Sequence, residues 1–164
     1  MPSFQDQFME LRGEPIEWNG QMLHMADEIP IKGETRVVVK FISTNSNWRQ
    51  GIGLDAKNAT FECYDQVVKN RATFWNDTAE REIELIVRTK ETTLFIKNIW
   101  VRDGIVESWV HGAAMIFEEI ENGRRYYCND GHPDENFDDI VFEVLVFPIE
   151  RTEKPKTIRS EDKK

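Results

Sequence analysis

Residues 81–101 read REIELIVRTKETTLFIKNIWV. Ile83, Leu85 and Val87 are set off against Glu82, Glu84 and Arg88, and Thr92 to Val101 is rich in β-branched and aromatic residues. A period of two sends one set of side chains to a buried face and the other to water, whereas a helix needs 3.6. The stretch predicts two strands, Arg81–Arg88 and Thr92–Val101, in a sheet with one wet face.

Strand character continues on both sides of this segment. Upstream it marks Thr35–Ile42 and Ala59–Tyr64, and downstream Ile105–Val110, Ala113–Ile120, Arg124–Cys128 and Asp139–Phe147. Arg102-Asp103-Gly104 and Glu121-Asn122-Gly123 supply tight turns, each ending in a glycine that accepts the left-handed conformation. Near the start, Glu14–Trp18 and Gln21–Met25 flank Asn19-Gly20, a pair suited to both positive φ angles of a type I′ hairpin turn. Short strands joined this way, with no intervening helix of 10 to 15 residues, indicate a two-layer antiparallel β-sandwich, jelly-roll-like, rather than a parallel α/β sheet.

One helix is expected. Ser3 and Asp6 form the ends of a capping box, and Phe4, Phe8 and Leu11 follow helical spacing, so residues 1–12 read as a short helix or docking arm. Residues 150–164, RTEKPKTIRSEDKK after Glu150, lack apolar periodicity and read as a flexible charged tail on a single domain spanning 1–149. A chain of 164 residues, 40% of them hydrophobic, suits one core better than two.

Charge narrows the partners. The formal net charge is −9, and without 150–164 the body holds 15 basic and 26 acidic side chains, a net of −11. Such a surface repels phosphate backbones and anionic lipid, which argues against nucleic acid and membrane. No run of 18 apolar residues occurs and the N-terminus lacks a signal-peptide pattern, so a cytoplasmic location is expected, with export by a non-classical route left open. Cys63 and Cys128 stand far apart in apolar stretches without a CxxC pair, and read as buried free thiols.

The chemically loaded segment is YYCNDGHPDENFDDIVFEV, residues 126–144. It gathers Asp130, Asp134, Glu135, Asp138 and Asp139 with the amides of Asn129 and Asn136. Like charges this dense repel unless something positive sits among them. Asp134, Asn136 and Asp138 have the alternate spacing with which a curling loop aims oxygens at one point, as in the first half of an EF-hand. The second half is missing, since Asp139 stands where the glycine belongs and Leu145 where the bidentate glutamate belongs. An all-oxygen donor set favours Ca²⁺ over softer metals, with Asp130, Asp134, Asn136, Asp138 and Asp139 as ligands. The competing reading is a solvated turn closed by Asn129 and Asp130 through bonds to the backbone.

This stretch resembles the calcium loop of bacterial galactose-binding lectins of the PA-IL type, β-sandwich domains that hold sugar hydroxyls through a bound Ca²⁺. In that family an Asn-Asp pair ends a strand and oxygen ligands follow four, seven and eight residues after the Asp. Asn129-Asp130, Asp134 and Asp138 match three of these places, while Phe137 departs at the seven-residue offset. The resemblance spans about sixteen residues and implies a calcium-dependent carbohydrate-binding module.

Five tryptophans, Trp18, Trp48, Trp75, Trp100 and Trp109, add a second feature, because an exposed indole stacks on the apolar face of a sugar. Trp100 and Trp109 lie in strand-like sequence and read as core, whereas Trp48, in the polar loop Thr44–Gln50, is the candidate platform. Asn129 and His132 complete the candidate ligand contacts. No GxSxG elbow, HExxH, Walker or GxGxxG motif occurs, and His24, His111 and His132 have no recognisable nucleophile beside them, so no catalytic residue is expected. The expectation is a non-enzymatic binding module for carbohydrate. The alternative is a metal-free structural or protein-interaction subunit with an acidic surface, homo-oligomers included.

Overall fold

The computed structural model describes residues 3–132 and 135–150. In chain order these form α1 (Phe4–Glu10), β1 (Ile16–Trp18), β2 (Gln21–Leu23), β3 (Asp27–Thr44), β4 (Arg49–Cys63), β5 (Gln66–Trp75), β6 (Glu82–Arg102), β7 (Ile105–Glu107), β8 (Ala114–Ile120), β9 (Gly123–Asn129) and β10 (Ile140–Ile149). The sandwich is built from one antiparallel sheet in the order β5-β4-β6-β3-β10-β9-β8, with β7 added to the end of β6. Asp134 and residues 151–164, including the expected tail, lie outside the described residues.

The two strands expected at 81–88 and 92–101 are halves of one 21-residue strand. Fully extended, it would reach about 70 Å, far beyond the radius of gyration of about 15 Å expected for a chain this long. It must bend, and bulges allow it to bend without turning its apolar face outward. β3 pairs Gly33 with Thr89 and Lys32 with Glu91, leaving Lys90 as one extra residue on β6. That insertion changes the parity of burial, from Ile83, Leu85 and Val87 before it to Leu94, Ile96 and Trp100 after it. Without the bulge one half would present its core residues to water.

β4 makes the same correction. Its register against β6 shifts between Ala56 and Thr60, Asn58 takes φ 61°, and burial passes from Ile52, Leu54 and Ala56 to Ala59 and Phe61. The two arms thus face each other across one cluster, to which β3 adds Val37, Val39 and Phe41 and the far strands add Met115, Tyr126, Cys128 and Phe142. Outside the bend, Arg88 bridges Glu34 and Glu62 of the two neighbouring strands. At this exposure such pairs contribute little beyond fixing register.

A smaller cluster forms a further layer. Phe4 and Phe8 of α1, Ile16 and Leu23 of the β1–β2 hairpin, Ala114 of β8 and Phe137 pack together, with Trp18, Ile116 and Tyr127 at the margin. The capping box is present as read, Ser3 Oγ accepting from Asp6 N–H and the Asp6 carboxylate accepting from Ser3 N–H. Asn19 (φ 51°) and Gly20 (φ 79°) make the hairpin turn with both angles positive. β2 leads into an isolated bridge in which His24 and Met115 exchange both backbone bonds, attaching the hairpin to the β8 edge.

Two expectations need correction. β5 carries no strand signal in the sequence reading, yet it forms one edge of the sheet. Trp109 is not a core residue: it is 36% exposed, at φ 52°, past the end of β7. Trp100 is fully buried as expected, and both cysteines are free thiols, Cys128 buried and Cys63 half-buried.

Candidate functional site

The loop between β9 and β10 is closed by its own acids and amides. Asn129, Asp130 and Asp139 are all buried, while Asn136 is exposed. The Asn129 side-chain oxygen accepts from Phe137 N–H at 2.6 Å, and its backbone oxygen accepts from the Asn98 amide at 2.9 Å. Asp130 N–H donates to Asp139 Oδ2 at 2.9 Å, and Asp139 N–H donates to Cys128 O at 3.0 Å. Through these bonds Phe137, the residue that departs from the lectin pattern, turns into the α1 cluster.

The Asp130 carboxylate has three donors of its own. Oδ2 accepts from Ser46 Oγ at 2.6 Å and Gln50 Nε2 at 3.0 Å, and Oδ1 accepts from His132 N–H at 2.9 Å. Asp138 Oδ2 is directed elsewhere, accepting from the Asn45 amide at 2.9 Å. A calcium ion takes six to eight oxygen ligands converging on one point. Among the described residues no three His, Cys, Asp or Glu side chains converge in this way. Asp130 and Asp138, two of the residues read as calcium ligands, each accept hydrogen bonds from protein donors here. Neutral donors offset the charge of Asp130, the charge-assisted bonds being stronger than ordinary ones.

What this stapling does is position an aromatic cleft. Ser46 Oγ, held by Asp130, accepts from Trp48 N–H at 3.2 Å, and the Gln50 amide donates to Trp48 O at 3.3 Å. Trp48 is half-buried and meets the exposed His132 edge to face, their ring centroids 6.2 Å apart. The Arg102 guanidinium lies 6.0 Å from the Trp48 ring centroid. Arg102 is itself gripped by Glu107 through bonds of 3.0 and 2.9 Å, and Glu107 also accepts from Trp100 Nε1 at 3.0 Å. The Arg102 hydrogen bond holds the Glu107 carboxyl below the usual glutamate range, and the same bond raises Arg102.

Trp48 and His132 line two cavities. One, of about 590 Å³, is lined by Phe4, Trp18, Trp48, Arg102, His111 and His132. The other, of about 440 Å³, is also lined by Asn45, Ser46 and Asn47. α1 forms one wall of the first, anchored where Gln5 N–H donates to His111 O at 2.9 Å and His111 N–H donates to Gln5 Oε1 at 2.7 Å. Trp18 is fixed between Phe4, 5.8 Å away, and Phe137, 5.5 Å away. Gly131, which also lines this cavity, sits so close to the buried Trp100 that an added Cβ would fall 3.3 Å from the indole.

Of the residues singled out from sequence, Trp48 and His132 come together in this cleft. Asn129, Asp130 and Asp139 lie behind it as its frame, and Asp134 is outside the described residues. The cleft also draws on Phe4, Trp18, Arg102 and His111, which are far apart in sequence and carry no local motif. No protein-family model matches this chain, and no match was found among curated proteins or among solved structures.

Proposed function

We propose that this protein is a non-enzymatic binding module for carbohydrate, with the cleft around Trp48 as its site and without a role for calcium. The observation that carries this reading is the half-buried indole of Trp48, which lines two adjoining cavities and whose backbone is held through Ser46, Gln50 and Asp130. Binding sites for small ligands combine an apolar floor with a few oriented polar groups. Here indoles supply the floor, and His111, His132, Gln7 and Glu135 line the same cavity with polar groups able to meet hydroxyls. Sugars present such a pairing of apolar ring face and polar rim. A rigid platform loses little conformational freedom on binding, which favours affinity.

The test is titration calorimetry against neutral glycans, with Trp48→Ala as control. Wild type should bind in buffer containing chelator as well as without it, and Trp48→Ala should bind at least tenfold more weakly. Equal binding by the two proteins, or no binding to any glycan, overturns the reading.

A protein-contact role is favoured by one specific observation. At the β4–β5 hairpin Tyr64, Val67 and Val68 are exposed beside the free edge of β5. An open edge with apolar side chains is a template for pairing with another strand.

A further inference from the structure

The cleft does not end at Trp18. A third cavity of about 830 Å³ shares Trp18 and Glu135 with the central one and continues past Met22, His24, Phe117 and Tyr127, between the β1–β2 hairpin and β8–β9. The central cavity in turn shares Trp48 and His132 with the one beyond. Three spaces, each within the range of about 300–1,000 Å³ that houses one small ligand, therefore run in sequence.

Charge decides what can lie along them. Among the described lining residues Arg102 is the only Arg or Lys, and Glu107 already holds it in two bonds. Glu118, Glu135 and Asp139 line the run, and the chain as a whole is at −9. A polyanion would find no free counter-charge and would meet carboxylates instead. Next to the third cavity the β8 edge is bridged at Met115 by His24, so an extended peptide could not pair with Met115. Aromatic or planar side chains recur in every segment: Trp48, then Trp18, then Phe117 and Tyr127.

We infer that the ligand is an uncharged linear glycan several pyranose units long, lying from Asn47 past Trp48 and Trp18 to Met22 and Tyr127. This rests on the carbohydrate reading above and extends it from one sugar to a chain. Units beyond Trp48 add contacts at both ends, so affinity should grow with length until the run is filled.

The experiment titrates neutral oligosaccharide ladders of one to six units, in the gluco, manno, galacto and N-acetylglucosamine series, into wild type, Met22→Lys and Asn47→Ala. Both altered positions are exposed, so the fold is retained, and unchanged melting temperatures check this. Wild type should bind six units at least tenfold more tightly than two. Met22→Lys and Asn47→Ala should each reduce that gain at least threefold. Affinity independent of length overturns the extended ligand but leaves the Trp48 site standing. Failure of every ladder to bind overturns both readings, as does competition for the cleft by a neutral peptide in place of glycan.

Discussion

Ser46 Oγ donates to Asp130 Oδ2 across 2.6 Å, joining the loop after β3 to the loop after β9, positions 84 residues apart in the chain. Ser46 Oγ also accepts from Trp48 N–H, so loss of Asp130 should be felt at Trp48. Replacing Asp130 by Ala leaves Ser46, the Gln50 amide and His132 N–H without their acceptor. Unfolding in urea should show a loss of about 3 kcal/mol, with Trp48 fluorescence altered in the folded protein. A loss below about 0.5 kcal/mol would mean that the staple contributes nothing.

Calcium should leave the protein unmoved. A site of 10 μM affinity in 1 mM Ca²⁺ would stabilise by about 2.7 kcal/mol, which raises the melting point of a domain this size by roughly 5–10 °C. With Asp130 already committed to three donors, scans with Ca²⁺ and with chelator should superimpose. An upward shift of several degrees with Ca²⁺ would refute this.

Two glycines should separate steric from conformational cost. A Cβ on Gly123 would lie 2.0 Å from Val144 O, a backbone atom that cannot step aside, whereas nothing lies within 4 Å of one on Gly104 at φ +78°. Gly123→Ala should destabilise by about 3 kcal/mol or more, and Gly104→Ala by only about 1–2 kcal/mol from its left-handed backbone. Denaturant midpoints of the two variants, measured side by side, decide the order.

His24 should confer a dependence on pH. It stacks on Phe117 with centroids 4.2 Å apart, and burial lowers its pKa below 6.5, followed by opposing effects of Asp27, which raises it, and Arg124, which lowers it. The unfolded chain then binds the proton more readily than the folded one, so protonation favours unfolding. The penalty is absent above pH 6.5 and grows as pH falls from there toward the lowered folded value. His24→Gln should flatten the slope of unfolding free energy against pH just below 6.5, and an unchanged slope would show that His24 does not carry it.

Signals confined to a few neighbouring residues were legible in the sequence. Asn19-Gly20 declared its turn and Ser3 to Asp6 its helix start, because both are settled by backbone conformation within four residues. β5 was not legible, since apolar periodicity reports burial and only Ala72 of its ten residues is buried. β6 appeared as two strands because Thr89-Lys90-Glu91 is polar, and those residues mark the bulge and not a break. The acidic loop was conspicuous by composition, but where its carboxylates point depends on Asn45, Ser46 and Gln50, 80 to 93 residues away. No local spacing encodes such partners. The cleft was half visible for the same reason: Trp48 and His132 stood out in polar loops, while Trp18 and Arg102 became part of it only through the packing of α1, β1 and β6.

The two sides of the sheet end differently. β8 is bridged by His24 and packed against the hairpin, while β5 offers its backbone to solvent. Pairing of two β5 edges about a two-fold axis would join one molecule to one neighbour. At the other end the hairpin pairs with β8 at Met115, which leaves less of that edge open to a second neighbour, besides helping to wall the cleft.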